Sequence, residues 1–161
     1  MKTFLPLLLL GVLLSVTACL SRDDDDVIGP DPNQAAIDRE IIVDYVNNSG
    51  FSFEEDPSGL FYRIVAPGSA ERPITSDSIQ IRYRGELLDG TIFDQTENNM
   101  SVNFRLNNLI AGWQIGIPLI GRNGSIEMVI PSGLAYGAFG AGIIPPNAVI
   151  FFRVDLIDFG F

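Results

Sequence analysis

The stretch Ala135–Pro146, AYGAFGAGIIPP, joins a Tyr on a Gly-rich turn to an Ile-Ile step and a rigid Pro-Pro corner. Backbone this dense in glycine can fold closely over a ligand. Working outward toward the N-terminus, three further pieces stand in order: LIAGW at Leu109–Trp113, DGTIFD at Asp89–Asp94 and YRG at Tyr83–Gly85. The sequence around them alternates like a sheet protein. Strands are expected at Leu60–Ala66, Ser78–Leu88, Ser101–Leu106, Ser125–Ile130 and Ala148–Ile157, each bounded by Gly, Pro, Asn or Asp. One short helix fits between Leu109 and Ile117, ending at Pro118 and Gly121. Farther upstream, Ala36, Ile37, Ile41, Ile42, Tyr45 and Val46 recur at three-to-four spacing before the stop signal Asn47-Asn48-Ser49-Gly50. That spacing predicts an amphipathic helix over Asn33–Asn47, and Phe51–Pro57 reads as an irregular connection. Five antiparallel strands with a single helical segment indicate an α+β domain whose curved sheet wraps one helix.

The composition removes several chemistries. The 161 residues include no His and one Cys, and no Ser stands in a nucleophile-elbow context, so catalytic triads, zinc sites and thiol redox chemistry drop out. Asp89 and Asp94 flank an Asp-Gly turn, which is more simply a hairpin signal than a carboxylate pair for hydrolysis. The Gly-rich segment runs into Ile-Ile-Pro-Pro and not into Lys-Ser or a helix start, which disfavours a phosphate cradle. Net charge is −10, and losing residues 1–18 would remove the only Lys and no acid, leaving −11. Such a surface repels phosphates, so no nucleic-acid partner is expected.

The N-terminus carries targeting features. Lys2 supplies a positive start, Phe4–Val16 an apolar run too short to span a bilayer comfortably, and Val16-Thr17-Ala18-Cys19 a small-residue cleavage site. This resembles a bacterial lipoprotein signal, in which Cys19 becomes the first mature residue and bears the lipid anchor to the membrane. A single Cys in an exported chain accords with that. Residues 19–33 include four consecutive Asp at 23–26, with Gly29, Pro30 and Pro32, and read as a flexible acidic tether. The acidic cluster resembles the surface-export signals of Bacteroidota lipoproteins, and Leu20 agrees with outer-membrane sorting, on the cell-surface or the periplasmic face. The expected organisation is a signal at 1–18, the tether at 19–33, a helix and connection at 34–58, and the main domain at 59–161.

YRG, DGTIFD, LIAGW and AYGAFGAGIIPP, in this order and covering about Leu60–Phe159, resemble the FKBP family of peptidyl-prolyl cis-trans isomerases. The resemblance implies a half-barrel fold, no cofactor, proline-containing polypeptides as substrates and rapamycin-type inhibitors as ligands. By the same matching, Asp94 faces the twisting amide and Tyr136 donates its hydroxyl to a substrate carbonyl. Tyr83, Phe93, Val102, Leu109, Ile110, Trp113, Ile144 and Phe152 form the substrate pocket, with Trp113 as its floor, the Ile110 backbone N–H holding a ligand carbonyl and Ile144 on the family's flap, here between Gly137 and Pro145. Two positions depart from the family: Val102 stands where an aromatic residue is frequent, and Asn98 lies near where an Arg often pairs with the Asp. The activity implied is acceleration of X-Pro rotation in exported or surface proteins. The alternative is a non-catalytic FKBP-like module that binds peptides or a partner.

Overall fold

The computed structural model describes residues 32–97 and 100–161, so the signal and most of the tether lie outside the described residues, as does Asn98. Helix α1 (Pro32–Asn48) is followed by strands β1 (Glu54–Glu55), β2 (Phe61–Ala66), β3 (Ser78–Leu87), β4 (Ile92–Gln95) and β5 (Val102–Arg105). Helix α2 (Ala111–Gly116), strand β6 (Gly124–Ile130) and strand β7 (Ile150–Phe159) complete the order, with short 3₁₀ turns between them. All pairings are antiparallel, and the sheet runs β1-β2-β6-β7-β3-β4 with β5 also on β3. The long strand β3 pairs β7 from Ile79↔Phe159 to Leu87↔Ile150. Its other edge is shared between β5 (Ser78↔Arg105 to Ile81↔Val102) and β4 (Arg84↔Gln95 to Glu86↔Ile92).

The sheet has seven strands where five are expected from sequence. Strand β1 is two exposed glutamates, and β4 is an edge strand with an exposed Ile92, so neither carries the buried alternation that marks a strand. The Asp-Gly turn forms the β3–β4 hairpin: Gly90 adopts φ +89°, its N–H donates to the Leu87 carbonyl, and the Thr91 N–H donates to Asp89 Oδ1.

One face of the sheet buries Ile79 and Ile81 of β3, Ile126, Met128 and Ile130 of β6, and Phe152, Val154 and Leu156 of β7 against Trp113 and Ile117. Close approach of α2 depends on a missing side chain. A Cβ on Gly112 would stand 2.5 Å from Ile130 Cγ2, so the helix can lie on β6 and turn Trp113 inward only with glycine there. The opposite face is covered by α1, whose Ile42 is buried with Phe61, Val129 and Val149. Beyond that patch the buried carboxylate of Glu127 lies between two cross-strand guanidinium groups, Arg63 at 2.5 Å and Arg153. Paired in this way, a buried charge is tolerable. Strand β6 is therefore covered on both sides, by α2 and by α1 with the Arg–Glu–Arg ladder.

Candidate active site

Strand β3 places Tyr83 and Gly85 on the inner face, and the missing side chain at Gly85 opens the space in which two rings meet. A Cβ there would stand 2.5 Å from Phe152 and 2.6 Å from Phe93. Without it, Phe93 packs edge-to-face on Phe152 with centroids 5.4 Å apart, and Phe152 in turn packs edge-to-face on Trp113 at 4.9 Å. Tyr83 meets Trp113 at 5.3 Å and 76°. Edge-to-face pairs of this kind fix ring positions beyond what area burial supplies.

These rings surround a cleft of about 100 Å³. Trp113, Phe152 and Tyr83 border it on the sheet and helix side, and Phe104, Leu109 and Ile110 close it from β5 and the start of α2. Asp94 and Tyr136 stand at its polar border. The Tyr83 hydroxyl donates to Asp94 Oδ2 at 2.7 Å, fixing the carboxylate at the rim. Burial, with the Asp94 bond adding to it, pushes the Tyr83 phenol far above its ordinary range. Burial also raises the Tyr136 phenol, helped by the negative charge of Asp94. Both phenols are therefore neutral donors at physiological pH. Among the described residues, neither the Tyr136 hydroxyl nor the Ile110 N–H donates to a protein acceptor. Tyr136 and Ile110 thus bring two donors to a cleft whose border also holds the Asp94 carboxylate and the unpaired Nε1–H of the buried Trp113.

Comparison with known proteins places this geometry. The profile of the FKBP-type peptidyl-prolyl cis-trans isomerase family matches residues 69–157, more than half of the chain. The chain belongs to the FKBP family. It is 41% identical over 102 residues to the FKBP-type isomerase FkpA of Escherichia coli strain K12, covering 63% of this chain and 38% of FkpA. To the outer membrane protein MIP of Legionella longbeachae it is 37% identical over 104 residues, covering 63% of this chain and 45% of MIP. The chain thus spans less than half the length of these relatives. Among solved structures, it superposes on E. coli FkpA with a TM-score of 0.70 and 35% identity, over 79% of this chain and 59% of that one. It superposes equally well, at 0.70 and 29% identity, on a peptidyl-prolyl isomerase of Pseudomonas syringae pv. tomato DC3000, over 83% of this chain and 98% of that one.

Within this FKBP domain the cleft brings together Tyr83, Asp94, Leu109, Ile110, Trp113, Tyr136 and Phe152. Three other residues matched from sequence do not border it. Phe93 stands one ring back, edge-to-face on both Phe152 and Tyr136. Val102 packs against the main core, and Ile144 is buried within it. The aromatic side chain that β5 gives to the cleft is Phe104, two residues after Val102 and on the same side of the strand. Strand alternation alone could have found it, because Val102 and Phe104 share a parity in the expected strand.

The FKBP flap closes on itself. The Ala141 N–H donates to the Ile144 carbonyl at 3.0 Å and the Ile144 N–H returns to Ala141 at 2.8 Å. Gly142 takes φ +56° inside this turn, and Gly140 precedes it at φ +65°, where a Cβ would collide with the Ile144 carbonyl oxygen. The Asn147 N–H then donates to the Gly137 carbonyl at 2.8 Å, tying the flap's end to its beginning.

Proposed function

We propose that this chain accelerates rotation about X-Pro bonds in exported polypeptides. The observation that carries the proposal is the small cleft in which Trp113, Phe152 and Tyr83 meet unclaimed donors from the Tyr136 hydroxyl and the Ile110 amide.

The barrier to rotation, roughly 18–20 kcal/mol, is the resonance that the amide loses as its C–N bond twists. A planar amide is the more polar form, and moving it from water into an apolar site costs roughly 2–7 kcal/mol. A twisted amide with less charge separation is penalised less, so the cleft lowers the barrier by part of that difference. One neutral hydrogen bond adds only about 0.5–1.5 kcal/mol. Desolvation therefore leads, and no cofactor or proton transfer is required.

In this reading the proline ring rests over Trp113, between Tyr83, Phe152 and Phe104, with Leu109 beside it. The Ile110 N–H and the Tyr136 hydroxyl take the flanking carbonyls. Asp94, held by Tyr83, faces the twisting amide, while Phe93, Val102 and Ile144 back the walls and the flap. Rapamycin-type macrocycles would compete for the same cleft. The Val16–Cys19 motif and the acidic run at 23–26 support a lipoprotein anchored through Cys19 to the outer membrane. The name of the MIP relative, an outer membrane protein, is in keeping with export.

A protease-coupled assay on an Ala-Leu-Pro-Phe peptide tests the activity. The slow phase of cleavage should quicken in proportion to protein concentration. A peptide that saturates the protein while the slow phase stays unchanged would leave only a binding module.

A further inference from the structure

Helix α1 lies outside the segment that the family profile matches, yet it reaches the loop that carries Tyr136. Its contact is a buried carboxylate. Asp38 is 1% exposed, and its Oδ2 accepts both the Ser132 backbone N–H at 2.8 Å and the Ser132 hydroxyl at 2.6 Å. Oδ1 accepts Gln34 Nε2 at 2.7 Å. Among the described residues no cation pairs with Asp38, so hydrogen bonds from Ser132 and Gln34 compensate the loss of water around this carboxylate.

Ser132 is itself 2% exposed and opens the 3₁₀ turn Ser132–Leu134 that leaves β6. Its carbonyl accepts the Ala135 N–H at 3.0 Å, and the next residue is Tyr136. The chain from Asp38 to the cleft is therefore short and closed: carboxylate, Ser132 backbone and hydroxyl, one turn, phenol. Removing the carboxylate would leave two buried Ser132 donors without an acceptor, so the turn has reason to move to find water. A displaced Tyr136 hydroxyl loses its alignment with a substrate carbonyl, and small misplacements at a site can lower the rate strongly.

We propose that Asp38 is a positioning residue, which through Ser132 sets the turn that aims Tyr136 into the cleft. The kinetic part of this inference rests on the isomerase reading, and the structural part does not.

The test pairs kinetics with amide hydrogen exchange on the full chain. Asp38→Ala should lower kcat/KM by about threefold to tenfold, the worth of one neutral hydrogen bond. Asp38→Asn, with Gln34 turned to present its oxygen, keeps an acceptor for Ser132 and should restore most of that loss. Because Asp38 acts through the Tyr136 hydroxyl, Asp38→Ala combined with Tyr136→Phe should be no slower than Tyr136→Phe alone. Amides between Leu134 and Asn147 should exchange faster in Asp38→Ala while those of β6 and β7 keep their protection. Ile42→Val, which thins the packing of the same helix, should do neither. Should Asp38→Ala fail to fold, Ser132→Ala in its place cuts the hydroxyl half of the link, with the same pattern expected at smaller size. Unchanged exchange across residues 134–147, or losses that add fully to Tyr136→Phe, would overturn the proposal. Absence of isomerase activity in the parent protein would instead refute the proposed function and leave the exchange result to judge the link.

Discussion

Tyr136 and Trp113 divide the work at the cleft unequally if loss of water is the main source of rate. Burial raises the Tyr136 phenol, so it is a hydrogen-bond donor throughout the neutral range, yet one neutral hydrogen bond is worth only about a kcal/mol. Tyr136→Phe should therefore slow kcat/KM by about tenfold or less. Trp113→Gln should slow it more, because it wets the cleft floor where Trp113 now makes two edge-to-face ring contacts, and circular dichroism with urea denaturation must first show that the variant is folded. A thousandfold loss in Tyr136→Phe, with a milder one in Trp113→Gln, would reverse the assignment. At this scale Trp113, Tyr136 and Asp94 were legible through the ordered motifs LIAGW, AYGAFGAGIIPP and DGTIFD that carry the family resemblance, and their side chains border one cleft. Phe104 lay outside those motifs, although strand alternation from Val102 points to it.

Strands and helices here are held at their spacing by absent side chains as much as by present ones. Gly85 of β3 lets Phe152 of β7 and Phe93 of β4 approach from opposite neighbours, with register partners Gly85↔Phe152 and Gly85↔Asp94. Gly85→Ala should cost about 1–3 kcal/mol, the usual penalty of overpacking, and should lower kcat/KM along with it by tilting both rings. Urea denaturation and the peptide assay read the two effects. An alanine accepted without loss in either would show that the rings are not set by this contact. The long strands β3 and β7 were legible from buried alternation, β6 and α2 from apolar runs between turn residues, and α1 from a three-to-four repeat of which Ala36, Ile37 and Ile41 are exposed. The strands β1 and β4 were not, because exposed edge pairs owe their existence to a partner's free backbone and leave little imprint on composition.

For the molecule as a whole, the two faces of one sheet carry two layers with different roles. The inner face with α2 makes the cleft, and the outer face carries α1 over Phe61, Val129 and Val149. Most of its few cations are held in pairs: Arg39 with Glu55, Arg63 and Arg153 with Glu127, Arg84 with Glu86, and Arg122 with Asp158 and Glu71. Apart from the two pairs on the buried Glu127, these are exposed pairs that add little stability, and they leave the remaining surface acidic, in line with a net charge of −10. In the proposed mechanism the barrier is lowered by stripping water from an amide, a process in which no proton changes hands. The solvent isotope effect on kcat/KM tests that claim most directly, measured by NMR exchange between the cis and trans forms of an X-Pro peptide in light and heavy water. The account expects catalysed exchange at nearly equal rates in the two solvents. A clearly slower rate in heavy water would put a proton in flight in the transition state and contradict it.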